Sequence, residues 1–165
     1  MPRCFEPRLD SLPPAQREIW PQLRPAARLS YVLYGGTAVA LCLGHRMSLV
    51  FDFFRAARLD KDALHSALPF LSEGSILQDS VDTLAVSVRT GSEVVKLSFF
   101  GGIGLGRVGE PIQTTDGVLL VASMDDLMAT KLNAILDRAE ARDYRDIAAM
   151  LRHGASLERG LNGIS

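Results

Sequence analysis

Residues 31–54, YVLYGGTAVALCLGHRMSLVFDFF, constrain the fold more than any other stretch, because they string together a strand, a glycine turn, an apolar helix and a second strand that carries a carboxylate. Tyr31-Val32-Leu33-Tyr34 is a β-branched and aromatic run stopped by Gly35-Gly36, the signature of a strand entering a turn. Thr37 opens a run over 38–43 that is rich in helix formers and too apolar to be exposed. Gly44 ends it at a C′-type position. The chain turns back through His45 and Arg46 into a second predicted strand over 48–54. Its period of two puts Ser48, Val50, Asp52 and Phe54 on one face and Leu49, Phe51 and Phe53 on the other.

An ionised carboxylate on so apolar a strand costs roughly several kcal/mol unless a cation or donor meets it, so Asp52 needs a partner. Two glycines before a helix offer bare backbone N–H groups and a helix N-terminus to a phosphate, and a facing carboxylate can hold Mg²⁺. With these features the stretch resembles the polymerase-β-like nucleotidyltransferase superfamily. More narrowly it resembles the AbiEii/AbiGii-type toxin family, whose pattern is a Gly-Gly-Thr or Gly-Gly-Ser turn followed by Arg-x-Ser-x-Asp-x-Asp-aromatic. Gly35, Gly36, Thr37, Arg46, Ser48, Asp52 and Phe53 match that pattern. Val50 departs from it, standing where the family has the first Asp of the Asp-x-Asp pair. Two carboxylates two apart on a strand point the same way and can share a metal pair; a carboxylate and an isopropyl group cannot.

Composition sets the frame for this reading. The 165 residues, 47% hydrophobic and 22% charged, suffice for one globular domain with a proper core. A net charge of −1 argues against a strongly basic nucleic-acid binder while leaving room for a local basic patch. Cys4 and Cys42 are far apart and Cys42 lies in the apolar helix, which reads as a buried small hydrophobe rather than a disulfide or metal ligand. Neither a signal peptide nor a bilayer-spanning run is evident, so the expected location is the cytoplasm with no membrane partner.

The expected architecture is α+β: a nucleotidyltransferase-like mixed sheet flanked by helices, in a single domain over 1–165. Within it, 1–28 form an N-terminal arm and helix, 29–121 the sheet core, and 122–165 the C-terminal helices. Residues 1–12 read as a loosely held arm. Pro13-Pro14 start a helix with Ile19, Leu23 and Ala27 at helical spacing, interrupted at Trp20-Pro21 and Pro25. An amphipathic helix is predicted over 59–71 with Asp60 as N-cap. Strands are predicted over 75–78, 83–89 and 93–100, the last two a hairpin turning at Thr90-Gly91-Ser92, and over 118–121. Gly104-Leu105-Gly106-Arg107-Val108-Gly109 matches G-x-G-x-x-G, but Glu110-Pro111-Ile112 follows where a dinucleotide site needs a helix. The motif reads instead as a glycine-rich hairpin or loop.

Ser123-Met124-Asp125-Asp126 is a helix start of capping-box type, and the helix to about Glu140 sets Met128, Leu132, Ile135 and Leu136 on one side. Lys131 and Arg138 line another. A further helix opens at Arg142-Asp143-Tyr144-Arg145-Asp146 and closes at His153-Gly154. These segments also look like the later motifs of the same family, a Lys on a helix and an Arg/Lys-Asp-x-x-Asp turn, so the resemblance covers 29–151. Other readings stand beside it: Asp143 and Asp146 as an N-cap and N3 pair, Lys131 snorkelling from a core helix, and Arg46 bridging Asp52 or another acid. His45, His65 and His153 share no ligand spacing and read as surface or capping residues.

The resemblance implies transfer of a nucleotidyl group from a nucleoside triphosphate to RNA, such as tRNA, by a toxin held in check by an antitoxin protein. It implies Mg²⁺ or Mn²⁺ on Asp52, phosphate contacts from Gly35, Gly36, Thr37, Arg46 and Ser48, and charge neutralisation by Lys131. Asp143 would orient that lysine or act as an acid/base group. A third strand carboxylate is missing: Ser98 stands where an acid would serve. A catalytically silent nucleotide-binding or interaction module that keeps the fold is the competing expectation.

Overall fold

Alternation along the central strands decides which way the sheet faces. The computed structural model describes residues 4–103, 109–138 and 140–162. In chain order the elements are β1 (Cys4–Phe5), α1 (Pro14–Ile19), α2 (Arg24–Arg28), β2 (Val32–Tyr34), α3 (Gly35–Leu43), β3 (Val50–Phe54), α4 (Lys61–Ala67), β4 (Ser75–Ser80), β5 (Thr83–Thr90), β6 (Glu93–Phe100), β7 (Ile112–Thr114), β8 (Leu120–Val121), α5 (Met124–Asp137), α6 (Ala141–Arg152) and α7 (Leu157–Asn162). The described strands form one mixed sheet in the order β1-β7-β8-β2-β3-β6-β5-β4. With helices on it and a helical C-terminal part, this is the α+β, nucleotidyltransferase-like architecture expected from the sequence.

One face of the central strands is core. Phe51 and Phe53 of β3, Val95, Leu97 and Phe99 of β6, and Leu84, Val86 and Val88 of β5 are buried on it. The register Phe53↔Phe99↔Leu84 aligns them across three strands. Phe53 stacks on Phe99 with ring centroids 5.1 Å apart, and Tyr31 meets Phe99 edge-on at 5.5 Å. Each such ring, fully buried, contributes about 2–3 kcal/mol. α1 lies against β6, its Ala15 N–H donating to Glu93 Oε2 at 3.3 Å.

The other face carries Val50, Asp52 and Phe54 beside Lys96, Ser98 and Phe100. α3 packs on β2 and β3 and also meets α5 and α6. β5 and β6 turn through Gly91-Ser92, and Gly91 takes φ +64°, the left-handed conformation a two-residue hairpin requires. Asp60 caps α4, accepting from the Ala63 N–H at 3.0 Å.

Several expectations are corrected. The N-terminal arm is tied down: β1 pairs in parallel with β7 at one sheet edge, and Leu12 is fully buried. The second strand begins at Val50, two residues later than expected, which leaves Leu49 69% exposed rather than on the core face. The helix expected over 59–71 is α4 followed by a 3₁₀ segment from Pro69. α5 ends at Asp137, and Leu136 on it is exposed. Of the glycine-rich motif, residues 104–108 lie outside the described residues.

Candidate functional site

A cleft of about 600 Å³ opens on the non-core face of the sheet. Its floor follows from strand register: Tyr34, Asp52, Ser98, Ala85 and Gln78 pair in turn across β2, β3, β6, β5 and β4. Ser98 and Ala85 are small, and so leave space above the sheet beside Asp52. One wall is the turn from β2 into α3, and the opposite wall is α5, which contributes Thr130, Lys131 and Ala134, with Arg138 just past its end.

Side chains approach both glycines of the turn closely. Gly35 adopts φ +77°, and a Cβ there would lie 2.8 Å from Asp52 Oδ2. A Cβ on Gly36 would run into Arg46 Nη2 and lie 3.3 Å from Ser48 Oγ. The bare turn therefore lets the Asp52 carboxylate and the Arg46 guanidinium close onto the backbone. Tyr34, the N-cap residue of α3, makes no side-chain cap hydrogen bond, so the first N–H groups of the helix keep the anion-binding character of an open helix end.

Asp52 lines the cleft, and burial pushes its carboxyl above the usual carboxylate range, against the lowering fields of Lys96, Lys131, Arg138 and Arg142. Lys131 is buried, its ammonium 2.8 Å from Asp143 Oδ1 and 2.8 Å from Asp146 Oδ2. Asp146 is the hub beneath the cleft. It accepts from Arg46 Nε at 2.7 Å and Nη2 at 2.8 Å, and His45 Nε2 lies 2.6 Å from its Oδ1. Burial alone would raise the Asp146 carboxyl, but hydrogen bonds from Arg46, Lys131 and His45 bring it down to about 2.

The expected site residues thus fall in two layers. Gly35, Gly36, Arg46, Ser48, Asp52 and Lys131 line the cleft, as does Val50. Thr37 does not: it is fully buried, with Oγ1 bonded to the Val50 carbonyl and 2.8 Å from Ser48 Oγ, where it fixes the start of β3. Asp143 is also fully buried and reaches the cleft through Lys131. Arg46 bridges Asp146 rather than Asp52. Asp143 and Asp146 are not an N-cap pair, since α6 begins at Ala141 after Glu140. His45, expected as a surface or capping residue, is instead a half-buried member of the Asp146 cluster. Its partner lies 101 residues further on, so no local spacing could have shown it. Lys96, across from Val50, is a cleft cation that sequence reasoning gave no role.

The donor set bears on metal binding. Val50 and Ser98 remove the second and third carboxylates of a metal pair, and among the described residues no three His, Cys, Asp or Glu side chains gather to hold an ion. A pair of metal ions does not fit these residues. A single Mg²⁺ or Mn²⁺ does, because such ions are commonly held by one carboxylate together with substrate phosphate oxygens.

A glycine turn feeding an open helix end, a carboxylate on the antiparallel neighbouring strand, and a lysine brought in by a later helix define a nucleotidyltransferase-type cleft. The chain belongs to the AbiEii family: the family model described as "Nucleotidyl transferase AbiEii toxin, Type IV TA system" matches residues 22–162. It is similar to the uncharacterized protein aq_aa25 of Aquifex aeolicus, with 30% identity over 131 residues, or 78% of this chain. The match spans 61% of that relative's length. No solved structure matches the chain. Among the described residues, no helix is long and apolar enough to cross a membrane.

Proposed function

We propose that the cleft binds a nucleoside triphosphate and that the chain transfers its nucleotidyl group to an RNA hydroxyl, as a toxin restrained by its antitoxin. The observation that carries this reading is the convergence of Gly35, Gly36, Asp52 and Lys131 on one cleft although the sequence scatters them over nearly a hundred positions. The open N-terminus of α3 and the backbone of Gly36 receive phosphate oxygens. Lys131 neutralises phosphate charge, and Asp143 and Asp146 hold its ammonium in place. Asp52 would hold a single divalent ion, which when bound would supply screening of phosphate charge and a lower pKa for an acceptor hydroxyl. In the transfer proposed, the acceptor oxygen attacks the α-phosphorus in line and pyrophosphate leaves. Arg46 and Ser48 sit behind Gly36 and set the position of the turn.

One observation favours a second reading. Among the described residues that line the cleft, Asp52 is the single carboxylate, which suits a silent nucleotide-binding module. Incubation of the purified chain with Mg²⁺, each α-labelled triphosphate and total RNA separates the two, with Asp52→Asn and Val50→Asp variants alongside. Label on RNA with pyrophosphate release, lost in Asp52→Asn, supports the transferase. Release of a nucleoside diphosphate instead would indicate phosphoryl transfer. Transfer by Val50→Asp alone indicates a disarmed enzyme, and transfer by neither protein, with both folded, favours the binding module.

A further inference from the structure

Lys96 stands where the missing carboxylate leaves a gap in the cleft. Val50 and Lys96 are register partners on the parallel strands β3 and β6, and Asp52 and Ser98 are the next pair along the same face. Neighbouring strands lie about 4.8 Å apart and residues two apart on a strand about 6.6 Å, so the Lys96 ammonium on its flexible stem reaches the space above both Val50 and Asp52. Among the described residues five cations line the cleft: Arg46, Lys96, Lys131, Arg138 and Arg142. Arg46 is engaged by Asp146, and Lys131 by Asp143 and Asp146. Arg142 and Arg138 face Glu140, and Arg138 also lies 3.6 Å from Asp143. Among the described residues, Lys96 alone of the five has no ion pair.

The apolar residue at position 50 keeps Lys96 in that state. An acid there would sit directly across from the ammonium and pair with it, whereas an isopropyl group leaves the charge to whatever enters the cleft. An anion with several closely spaced charges gains most from this arrangement, because the open end of α3 and Lys131 already lie along the same cleft.

We infer that Lys96 supplies, as a fixed side-chain cation, the charge that a second metal ion would carry beside two carboxylates, so that a nucleoside triphosphate binds this cleft without a divalent ion. The inference rests on the nucleotide reading of the cleft and adds to it how the triphosphate is held. Binding and transfer then part company: the triphosphate is retained by side chains, and a divalent ion matters for the chemical step.

Isothermal titration of the full chain with each of the four nucleoside triphosphates, first in EDTA and then in Mg²⁺, tests this. The wild-type protein is expected to bind at least one triphosphate in EDTA. Lys96→Met keeps the aliphatic stem on an exposed strand position, and should weaken that binding by about tenfold or more, the size of a charged hydrogen bond, with an unchanged melting temperature. Val50→Asp should also weaken binding in EDTA by pairing with Lys96, and should regain it in Mg²⁺. If the wild-type protein binds only in Mg²⁺, or Lys96→Met binds in EDTA as tightly as wild type, the inference is overturned and the nucleotide reading stands. If no triphosphate binds in either buffer, both fall.

Discussion

Replacing Asp146 by Asn removes one charge from a site where three side chains converge on it. Arg46 holds Asp146 with two nitrogens, Lys131 lies 2.8 Å from Oδ2 and His45 2.6 Å from Oδ1. The carboxyl sits at about 2 rather than its ordinary 3.8. That depression corresponds to about 2 kcal/mol of folding free energy at neutral pH. The substitution also leaves Arg46 and Lys131 desolvated with half their partners and turns an amide N–H₂ toward a donor, so the whole loss should reach about 3–5 kcal/mol. That is a large share of a typical total of about 5–15 kcal/mol. Urea unfolding followed by circular dichroism at pH 7 measures it as a lower midpoint with an unchanged slope. pH gives an independent readout. Because the folded carboxyl titrates below the unfolded one, its contribution is complete above about pH 4 and is lost as pH falls toward about 2. Asp146→Asn should lack that component of acid destabilisation. A loss under about 1 kcal/mol, or a decline between pH 4 and 2 equal to that of the wild type, would refute the role assigned to this residue.

The remaining predictions concern the cleft and the thiols. Asp52→Asn should raise the melting temperature by roughly 2–4 °C, equivalent to about 1 kcal/mol, while abolishing transfer. Its carboxyl is raised by burial, so ionisation above that pKa opposes folding and Asn relieves the penalty; a lower melting temperature would contradict this. Gly35→Ala combines a left-handed φ with a Cβ 2.8 Å from Asp52 Oδ2, and should cost about 2 kcal/mol or more by chemical denaturation; a change within about 0.5 kcal/mol would rule out the close approach. Burial pushes the Cys42 thiol up to about 12 while Cys4 is exposed, so iodoacetamide at pH 8 should give a single adduct, on Cys4, by mass spectrometry of the native protein. Modification of Cys42 at a comparable rate would disprove its seclusion.

Much of the site was legible because its parts are local in sequence. Gly35-Gly36 between an apolar strand and an apolar helix can be read directly, as can Asp52 by its parity with Val50 and the hairpin by Gly91. The interpretation of those parts was less accessible. That Gly35 clears Asp52 and Gly36 clears Arg46 depends on how β3 folds back beside the turn, and no spacing encodes it. Asp146 read as part of a helix start because the local pattern fits a cap, and its partners at positions 45, 46 and 131 come from two other elements. Thr37 read as a phosphate contact for the same reason: a hydroxyl at a helix start suits a phosphate until the neighbouring strand places a carbonyl against it. The arm at 4–5 forms a two-residue strand, too short for alternation to register, and only its pairing with Gln113 and Thr114 reveals it. Leu49 was misassigned because parity gives the face of a residue and not where the strand begins.

The clearance at position 35 also changes how loss-of-function variants should be sorted. A residue can be irreplaceable for the volume it leaves vacant, and any side chain there would evict the acid before a substrate arrived. A screen that scores only lost activity would recover substitutions of Gly35 together with those of Asp52 and suggest a common role. Thermal stability would divide them into opposite groups, architecture on one side and chemistry on the other.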